Sequence, residues 1–340
     1  MTLRFRFMSV AGPAVLAAAL SLGLGARDAA AQQKVVIYSA NDSTLNELVF
    51  SAFTKDTGIQ VDPVSTGSGV LFKRIQAEKD HPQGDIIWGV SRQLLNTNRA
   101  YFTPYKSQNA AAIPADYRDP DNLWTGTNLH LLVILQNTKA LPADQGPRSW
   151  EDLLDPKWKD KIAFTDPANS GSAYANTTLL VDHWGGGDKG WQRVKTLFAN
   201  LKVLNRSSLV FQGVGNGEYP LGLSLEYAGY LWAHDGAPVK TIYPTDGTLV
   251  LMEGVAIIKG GPHLEPAKKF VDWITRKDVR EMILKATFRR PTRQDLDLSK
   301  LPGNMPALSS LKLLSYDEAG WDKKRSETLG KIKDIIQETR

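Results

Sequence analysis

The chain has 340 residues, no cysteine and a formal net charge of +5. Without cysteine it has no disulfide and no thiolate for metal binding or nucleophilic catalysis. Charges of both signs are mixed along the chain without blocks of Lys and Arg, a pattern that argues against a nucleic-acid-binding protein. The length is sufficient for two lobes, each with its own hydrophobic core.

The N-terminus has the pattern of a secretory signal peptide. Two arginines precede an apolar run over residues 7–25, and three alanines ending at Ala31 provide a small-residue cleavage site. We predict a signal peptide over residues 1–31 and a periplasmic location; a membrane anchor is the alternative. Removing these residues takes away three arginines and one aspartate, so the formal net charge falls from +5 to +3. This mild positive excess suits an anionic small ligand.

Strand and helix patterns alternate in the first part of the mature chain. Short apolar runs that break into small polar residues predict buried strands, and apolar residues at helical spacing predict the helices between them. The predicted elements are a strand at 35–38, a helix at 45–58, a strand from 59 that ends in a Ser/Gly loop, a helix at 70–80 and a strand at 84–89. This alternation predicts parallel strand pairing with right-handed crossovers.

Two later strands are predicted to connect the lobes. Residues 123–138 form a strand long enough to cross from one lobe to the other, and residues 248–260 form the strand that returns. Two such crossings make a hinge with a cleft between the lobes. The predicted parts are lobe one at 32–128 plus 248–300, lobe two at 129–247 and a C-terminal helical segment at 301–340.

Two loops rich in serine and glycine each precede a predicted helix. The first amides of a helix have no partner inside it and the helix dipole is positive there, so serine and glycine at this place favour anion binding. The alternative is plain helix capping by serine. The predicted ligand-binding residues of these loops are Gly67, Ser68, Gly69, Ser170, Gly171 and Ser172.

Eight segments follow one another in the order of a known family. They are STGSGVLFKRI, GDIIWG, NTK, SWEDLLDPKWKDKIAFTDPANSGSAY, GEYPLGLSLE, YPTDGT, GVAIIKG and PAKKFVDWI. In this order, over nearly the whole mature chain, the sequence resembles the periplasmic binding proteins of the ferric-iron type, a group that includes receptors for hexose phosphates, phosphoglycerate and 2-aminoethylphosphonate. The resemblance implies an α/β type II periplasmic binding protein fold and a role as the substrate-binding protein of an ABC transporter, with an inner-membrane permease as partner. It also implies that Ser170, Gly171 and Ser172 match the loop that holds a synergistic anion.

The iron site of that family is incomplete in this sequence. Ferric receptors of this type usually carry adjacent tyrosines where this chain has Glu226 and Tyr227. Ferric iron prefers anionic oxygen ligands, and the missing phenolate removes one of the strongest. Ferric binding through Glu226 and Tyr227, helped by Tyr230 or Tyr174, is therefore the alternative interpretation.

The preferred ligand is a small organic phosphate or phosphonate. Glu226, at a strand end, is predicted to bind sugar hydroxyls or the ammonium group of an aminophosphonate, with a structural salt bridge as the alternative. Ser39 and Asn41 follow another strand, where open α/β sheets place their ligands. Trp88 is a candidate cleft wall or a core residue.

The densest basic cluster of the mature chain follows residue 288. A guanidinium group matches phosphate in a bidentate way, so Arg290 is predicted to reach the cleft from a cluster that also holds Arg289 and Arg293. A solvated face is the alternative.

Enzyme motifs are lacking. The histidines show no HExxH spacing, residues 222–226 miss the GxSxG pattern at the last position, and no GxGxxG follows a strand. We predict no catalysis, no cofactor and no resident metal, and a monomer that binds a small anionic solute and a permease but no nucleic acid. A secreted phosphate-ester hydrolase is the second alternative.

Overall fold

The computed structural model describes residues 33–299 and 301–340. The predicted signal peptide lies outside the described residues. The strands are β1 (Lys34–Ser39), β2 (Gln60–Ser65), β3 (Ile86–Ser91), β4 (Phe102–Thr103), β5 (Thr125–Asn137), β6 (Ile162–Thr165), β7 (Leu201–Leu204), β8 (Leu221–Leu225), β9 (Val239–Ile242), β10 (Val250–Ile258) and β11 (Arg290–Pro291).

Helices separate most of these strands. The α-helices are α1 (Ser43–Thr57), α2 (Ser68–Ala77), α3 (Arg92–Thr97), α4 (Gly171–His183), α5 (Gly187–Phe198), α6 (Ser207–Gly215), α7 (Glu226–His234), α8 (Leu264–Ile274), α9 (Lys277–Thr287), α10 (Glu318–Lys323) and α11 (Arg325–Glu338). Short 3-10 turns lie at Arg99–Tyr101, Ala110–Ala112, Ala115–Tyr117, Glu151–Leu154, Pro156–Trp158, Pro302–Asn304 and Leu308–Ser310. Among the described residues, no helix has the length and apolar character that a membrane span requires.

The strands form one mixed sheet in the order β2-β1-β3-β10-β5-β8-β6-β7. The predicted parallel pairing is confirmed, because β1 runs parallel to both β2 and β3. The predicted helix end is also confirmed: α1 stops before Gly58, which has the left-handed φ of 73° that a helix C-cap favours.

The long strand β5 joins the two halves of the sheet. Its first part pairs with β10 up to Leu131, and its second part pairs with β8 from Leu132 onwards. We call β1–β4, β10 and β11 with their helices lobe one, and β6–β9 with theirs lobe two. The predicted α/β fold with two lobes is confirmed, as are the crossing and returning strands. The residue boundaries of the lobes stay a prediction.

Each lobe has its own core. In lobe one the two faces of the sheet are covered by separate clusters, one centred on Phe53 and Phe270 and the other on Leu71 and Phe72. The core of lobe two is continuous with the C-terminal segment, because Ile332 of α11 packs into it.

Candidate functional site

A cavity of about 700 Å³ lies between the two lobes, at the ends of strands from both. It is lined mainly by hydroxyl and amide side chains, with a few apolar ones. The polar lining includes Asn41, Asn46, Ser65, Thr66, Ser68, Ser91, Ser170, Ser172, Ser207, Ser208 and Gln212. The apolar lining includes Phe50, Leu209, Phe211 and Leu225. A cavity of this size accommodates a small organic molecule.

Four helices begin at this cavity. Lobe one contributes the N-termini of α1 and α2, and lobe two contributes those of α4 and α6. Each helix start offers amides that have no partner inside the helix, and each carries the positive end of a helix dipole. Because the four starts converge on one space, their fields add there. The arrangement favours an anion in the cavity.

The two serine and glycine loops of the sequence analysis face each other across the cleft. The Gly171 amide donates to Ser68 Oγ at 3.1 Å, and the Gly69 amide donates to the Asn169 carbonyl at 3.4 Å. A Cβ at position 69 would lie 2.2 Å from the Ala168 carbonyl oxygen, so only glycine permits this approach. The amides of Gly69 and Gly171 therefore join the lobes. These two amides already have hydrogen-bond acceptors, so neither is the free anion donor that the sequence predicts, although Gly171 itself lines the cavity.

The serines of lobe two form a hydrogen-bonded group. Ser170 Oγ caps α4 by accepting from the Ala173 amide at 3.3 Å, and it also accepts from Ser207 Oγ at 3.1 Å. Ser170 and Ser172 hydroxyls lie 3.0 Å apart. Ser170 is thus both a helix cap, the alternative considered above, and part of the cavity lining. Gly67 and Ser68 also line the cavity, whereas Gly69 does not.

The predicted residues after β1 have different positions. Asn41 lines the cavity, while Ser39 is fully buried and donates to Asn46 Oδ1 at 2.7 Å. Asn41 Nδ2 donates in turn to Ser39 Oγ at 3.1 Å. Ser39 therefore does not reach the cavity. It fixes the two asparagines that do.

Asp42, Glu253 and Tyr227 form one side of the cavity, which we call its floor, and Arg289 lies behind them. Asp42 and Tyr227 line the cavity, and the buried Arg289 pairs with Asp42 and stacks on Tyr227, 3.6 Å from its ring centroid. Burial raises the pKa of Asp42, but the Arg289 charge and the Leu45 amide outweigh burial and hold that pKa below its usual value. Burial, with Asp42 and Glu253, raises the pKa of the Tyr227 phenol despite Arg289. Tyr227 is thus a neutral phenol at physiological pH.

Glu226 and Arg290, predicted as ligand contacts, bind each other instead. Arg290 donates from Nε and Nη2 to the two carboxylate oxygens of Glu226, each at 2.7 Å, and the Tyr243 hydroxyl donates to the same carboxylate. Neither Glu226 nor Arg290 lines the cavity. The placement corrects both predictions. Glu226 opens α7 on the side that faces β11, so its side chain has a buried cation within reach.

Trp88 lies in the core of lobe one and not at the cleft. Its side chain is fully buried and packs edge-on against Phe50 and Phe270, with ring centroids 5.9 and 5.8 Å away. The alternative given for this residue, a core tryptophan, fits its position. β3 sends Trp88 towards α1 and α8 because the strand is covered on that face by helices.

The residues of the ferric alternative do not meet in the cavity. Tyr227 lines it, but Tyr230 stacks on Phe288 and Tyr174 donates to the Trp321 carbonyl at 3.0 Å. Within residues 33–299 and 301–340, no group of three or more His, Asp or Glu side chains is placed to hold a metal ion. Tyr227 has Asp42 beside it, but neither Glu226 nor the second tyrosine of this alternative joins them at the cavity.

Sequence reasoning missed the start of α6. Arg206, Ser207 and Ser208 line the cavity, and Arg206 is the only Lys or Arg among the described lining residues. The sequence contains the signal for this site, because the serine pair follows strand β7 and begins a helix, as the loops before α2 and α4 do. Glu253 also lines the cavity, and its Oε2 is hydrogen-bonded to His130 Nε2 at 2.7 Å. No local pattern distinguishes Glu253 from other strand residues.

Comparisons with known proteins agree with this architecture. The Fe(3+)-binding periplasmic protein of Serratia marcescens is 26% identical over 296 residues, which covers 83% of this chain and 85% of the relative. A Salmonella typhimurium periplasmic protein proposed to bind 2-aminoethylphosphonate is 25% identical over 285 residues, which covers 78% of this chain and 81% of the relative. The structure of AfuA from Actinobacillus pleuropneumoniae with fructose 6-phosphate bound matches with a TM-score of 0.82 and 27% identity. The match covers 90% of this chain and 99% of AfuA.

A family model matches most of the described chain. It extends over residues 85–319 and describes bacterial extracellular solute-binding proteins. This range includes the crossing strand β5, the returning strand β10 and both lobe-two helix starts at the cavity. The chain therefore belongs to the bacterial extracellular solute-binding protein family.

Proposed function

We propose that this protein captures a small organic phosphate or phosphonate in the interlobe cavity and delivers it to an ABC importer. The observation that carries the proposal is the convergence of the N-termini of α1, α2, α4 and α6 on one cavity. Phosphate and phosphonate oxygens accept hydrogen bonds from helix amides and serine hydroxyls, and they gain from the helix dipoles. Arg206 adds a cation at the same place.

The volume and lining support an organic group on the ligand. The cavity of about 700 Å³ is much larger than a bare phosphate ion needs. Asn41, Asn46 and Gln212 offer amide donors and acceptors, and Phe50 and Phe211 offer apolar surface. A phosphorylated compound of about hexose size would use both kinds of lining.

The carboxylates of the lining suit the hydroxyl groups of a sugar. Asp42 is paired with Arg289, Glu253 is hydrogen-bonded to His130, and Glu47 is exposed. A carboxylate accepts hydrogen bonds from hydroxyl groups whether or not it is paired with a cation. A sugar phosphate offers several hydroxyl groups to this lining and is the ligand that we favour.

The relatives support the transport role. They include periplasmic binding proteins for iron and AfuA, whose structure holds fructose 6-phosphate. We accordingly propose a periplasmic location, an inner-membrane permease as partner, and a monomeric carrier without catalytic activity. Domain boundaries near residues 128 and 247 belong to the same proposal.

Isothermal titration calorimetry of the mature protein tests the ligand class. We expect fructose 6-phosphate to bind at least tenfold more tightly than fructose, inorganic phosphate or 2-aminoethylphosphonate. Fructose controls for the sugar and inorganic phosphate for the anion. Tight ferric binding with a coloured tyrosinate complex, and no heat with any phosphorylated compound, would contradict the proposal. Release of phosphate from p-nitrophenyl phosphate would instead support the hydrolase alternative.

A further inference from the structure

Arg280 of α9 is a buried cation without an acidic partner. Its side chain is 1% exposed, and its one side-chain hydrogen bond goes from Nη2 to Asn128 Oδ1. Its Nε and Nη1 atoms have no hydrogen-bond partner among the described residues, and no carboxylate of residues 33–299 or 301–340 lies within ion-pair distance. A buried guanidinium group without a counter-charge is costly for the folded state.

The charge persists at neutral pH despite this environment. Burial, together with the charges of Arg289 and Arg293, lowers the pKa of Arg280 to about 9. Arg293 is matched by Asp295 and Arg289 by Asp42, so these two arginines have counter-charges of their own. Arg280 is the unmatched member of the cluster within the described chain.

The cluster lies directly behind the floor of the cavity. Asn128, which Arg280 contacts, is opposite Glu253 in the β5–β10 ladder, and Glu253 lines the cavity. Arg289 contacts the lining residues Asp42 and Tyr227, and its own Nε and Nη1 are without partners among the described residues. Arg280 therefore lies next to two residues, Asn128 and Arg289, that adjoin the cavity lining.

We propose that Arg280 is a specificity-determining residue whose buried charge is offset by the negative charge of the ligand, without direct contact. The inference rests on the proposed function, because it requires an anion in the cavity. In a low-dielectric interior a charge acts over about 10 Å with an effective dielectric constant near 20 and with little screening by salt. At that distance its loss corresponds to about a tenfold change in the affinity for an anion.

Two substitutions separate charge from packing. Arg280→Met removes the charge and keeps most of the side-chain length, whereas Arg280→Lys keeps the charge and loses the guanidinium shape. Calorimetry with fructose 6-phosphate is expected to show about tenfold weaker binding for Arg280→Met and binding within about twofold of wild type for Arg280→Lys. The loss of affinity in Arg280→Met should be the same at low and at high NaCl concentration, because the charge is buried and is screened little by salt.

Thermal unfolding of the ligand-free proteins gives an independent readout. If the charge is unmatched, Arg280→Met unfolds at the same temperature as wild type or higher, because a costly charge has been removed. If Arg280 has a purely structural role, Arg280→Met and Arg280→Lys should both lower the unfolding temperature and weaken ligand binding to similar extents. That result would overturn the proposal.

The wild-type titration distinguishes the two levels of failure. A wild-type protein that binds neither fructose 6-phosphate nor inorganic phosphate contradicts the proposed function. In that case the unfolding temperatures of the ligand-free proteins still show whether the Arg280 charge is unmatched. A wild-type protein that binds fructose 6-phosphate while Arg280→Met binds it equally well contradicts the role of Arg280 only.

Discussion

Arg290 holds Glu226 through two parallel hydrogen bonds of 2.7 Å in a place where the two side chains are 3% and 1% exposed. The pair joins β11, which is paired to the first part of β5, to the start of α7 in lobe two. It is therefore a structural connection between the lobes.

Breaking this pair should affect stability more than binding. Glu226→Gln leaves a buried guanidinium group without its counter-charge, and we expect the free energy of unfolding to fall by about 3 kcal/mol. Denaturant unfolding measures the change. The double variant Glu226→Met with Arg290→Met serves as the control, because replacing both charges restores much of the loss. Unchanged stability together with lost affinity for fructose 6-phosphate would make Glu226 a ligand group after all.

Ser172 and Ser170 should respond differently to alanine. Ser172→Ala removes a hydroxyl from the cavity lining, so we expect fructose 6-phosphate to bind more weakly by about 1–3 kcal/mol with unchanged unfolding. Ser170→Ala also removes the cap of α4 and should in addition cost about 0.5–2 kcal/mol of stability. Calorimetry and thermal unfolding distinguish the two effects. Ser51→Ala, an exposed position of α1, is the matched control. Equal affinity of all three variants would exclude the serine group from binding.

Gly69 should control closure of the lobes. A Cβ at this position would overlap the Ala168 carbonyl oxygen, so Gly69→Ala forces the two loops apart and disfavours the closed form. We expect a larger radius of gyration by small-angle X-ray scattering and at least tenfold weaker binding of fructose 6-phosphate. Gly330→Ala on α11, where no atom lies within 4 Å of an added Cβ, is the control. A Gly69→Ala variant with wild-type scattering and affinity would show that this contact is dispensable.

Asp322 should make stability depend on pH. Burial, with the neighbouring Glu318 charge, raises the pKa of Asp322 to about 7. Because the folded protein holds this proton to higher pH than the unfolded chain does, the associated stability is present at acid pH and is lost as the pH rises towards 7. We expect the free energy of unfolding of Asp322→Asn to rise relative to wild type by about 1–2 kcal/mol between pH 4 and pH 7, with no further change above pH 8; solvent around the half-buried carboxyl group keeps the effect below the full value for this shift.

Chemical denaturation across this pH range provides the measurement. Asp334→Asn, at an exposed position of α11, is the control for loss of a negative charge in the same segment. A constant difference between Asp322→Asn and wild type at all pH values would contradict the assignment.

Much of the fold follows from local patterns in the sequence. The strand at 123–138 is long and apolar on both faces, as a strand buried between two lobes must be, and β5 occupies Thr125–Asn137 with every residue buried. The two serine and glycine loops were recognised for the same reason, since a helix start carries its signature in four or five consecutive residues.

The contacts of single charged side chains did not follow from the sequence. Glu226 and Arg290 are 64 residues apart, and their pairing depends on how β11 lies against β5. Arg289 and Arg290 are neighbours in sequence, yet they point to Asp42 in lobe one and to Glu226 in lobe two. Only the tertiary fold decides which of two adjacent side chains faces the cavity floor.

A crystal structure of the complex with fructose 6-phosphate would show whether the phosphate group binds at the helix starts in the interlobe cavity. We predict the phosphate group within about 3 Å of first-turn amides or serine hydroxyls of α4 and α6, with the sugar hydroxyls towards Asn41 and Glu253. A phosphate group bound outside the interlobe cavity, or a metal ion coordinated by Tyr227 in its place, would contradict the account.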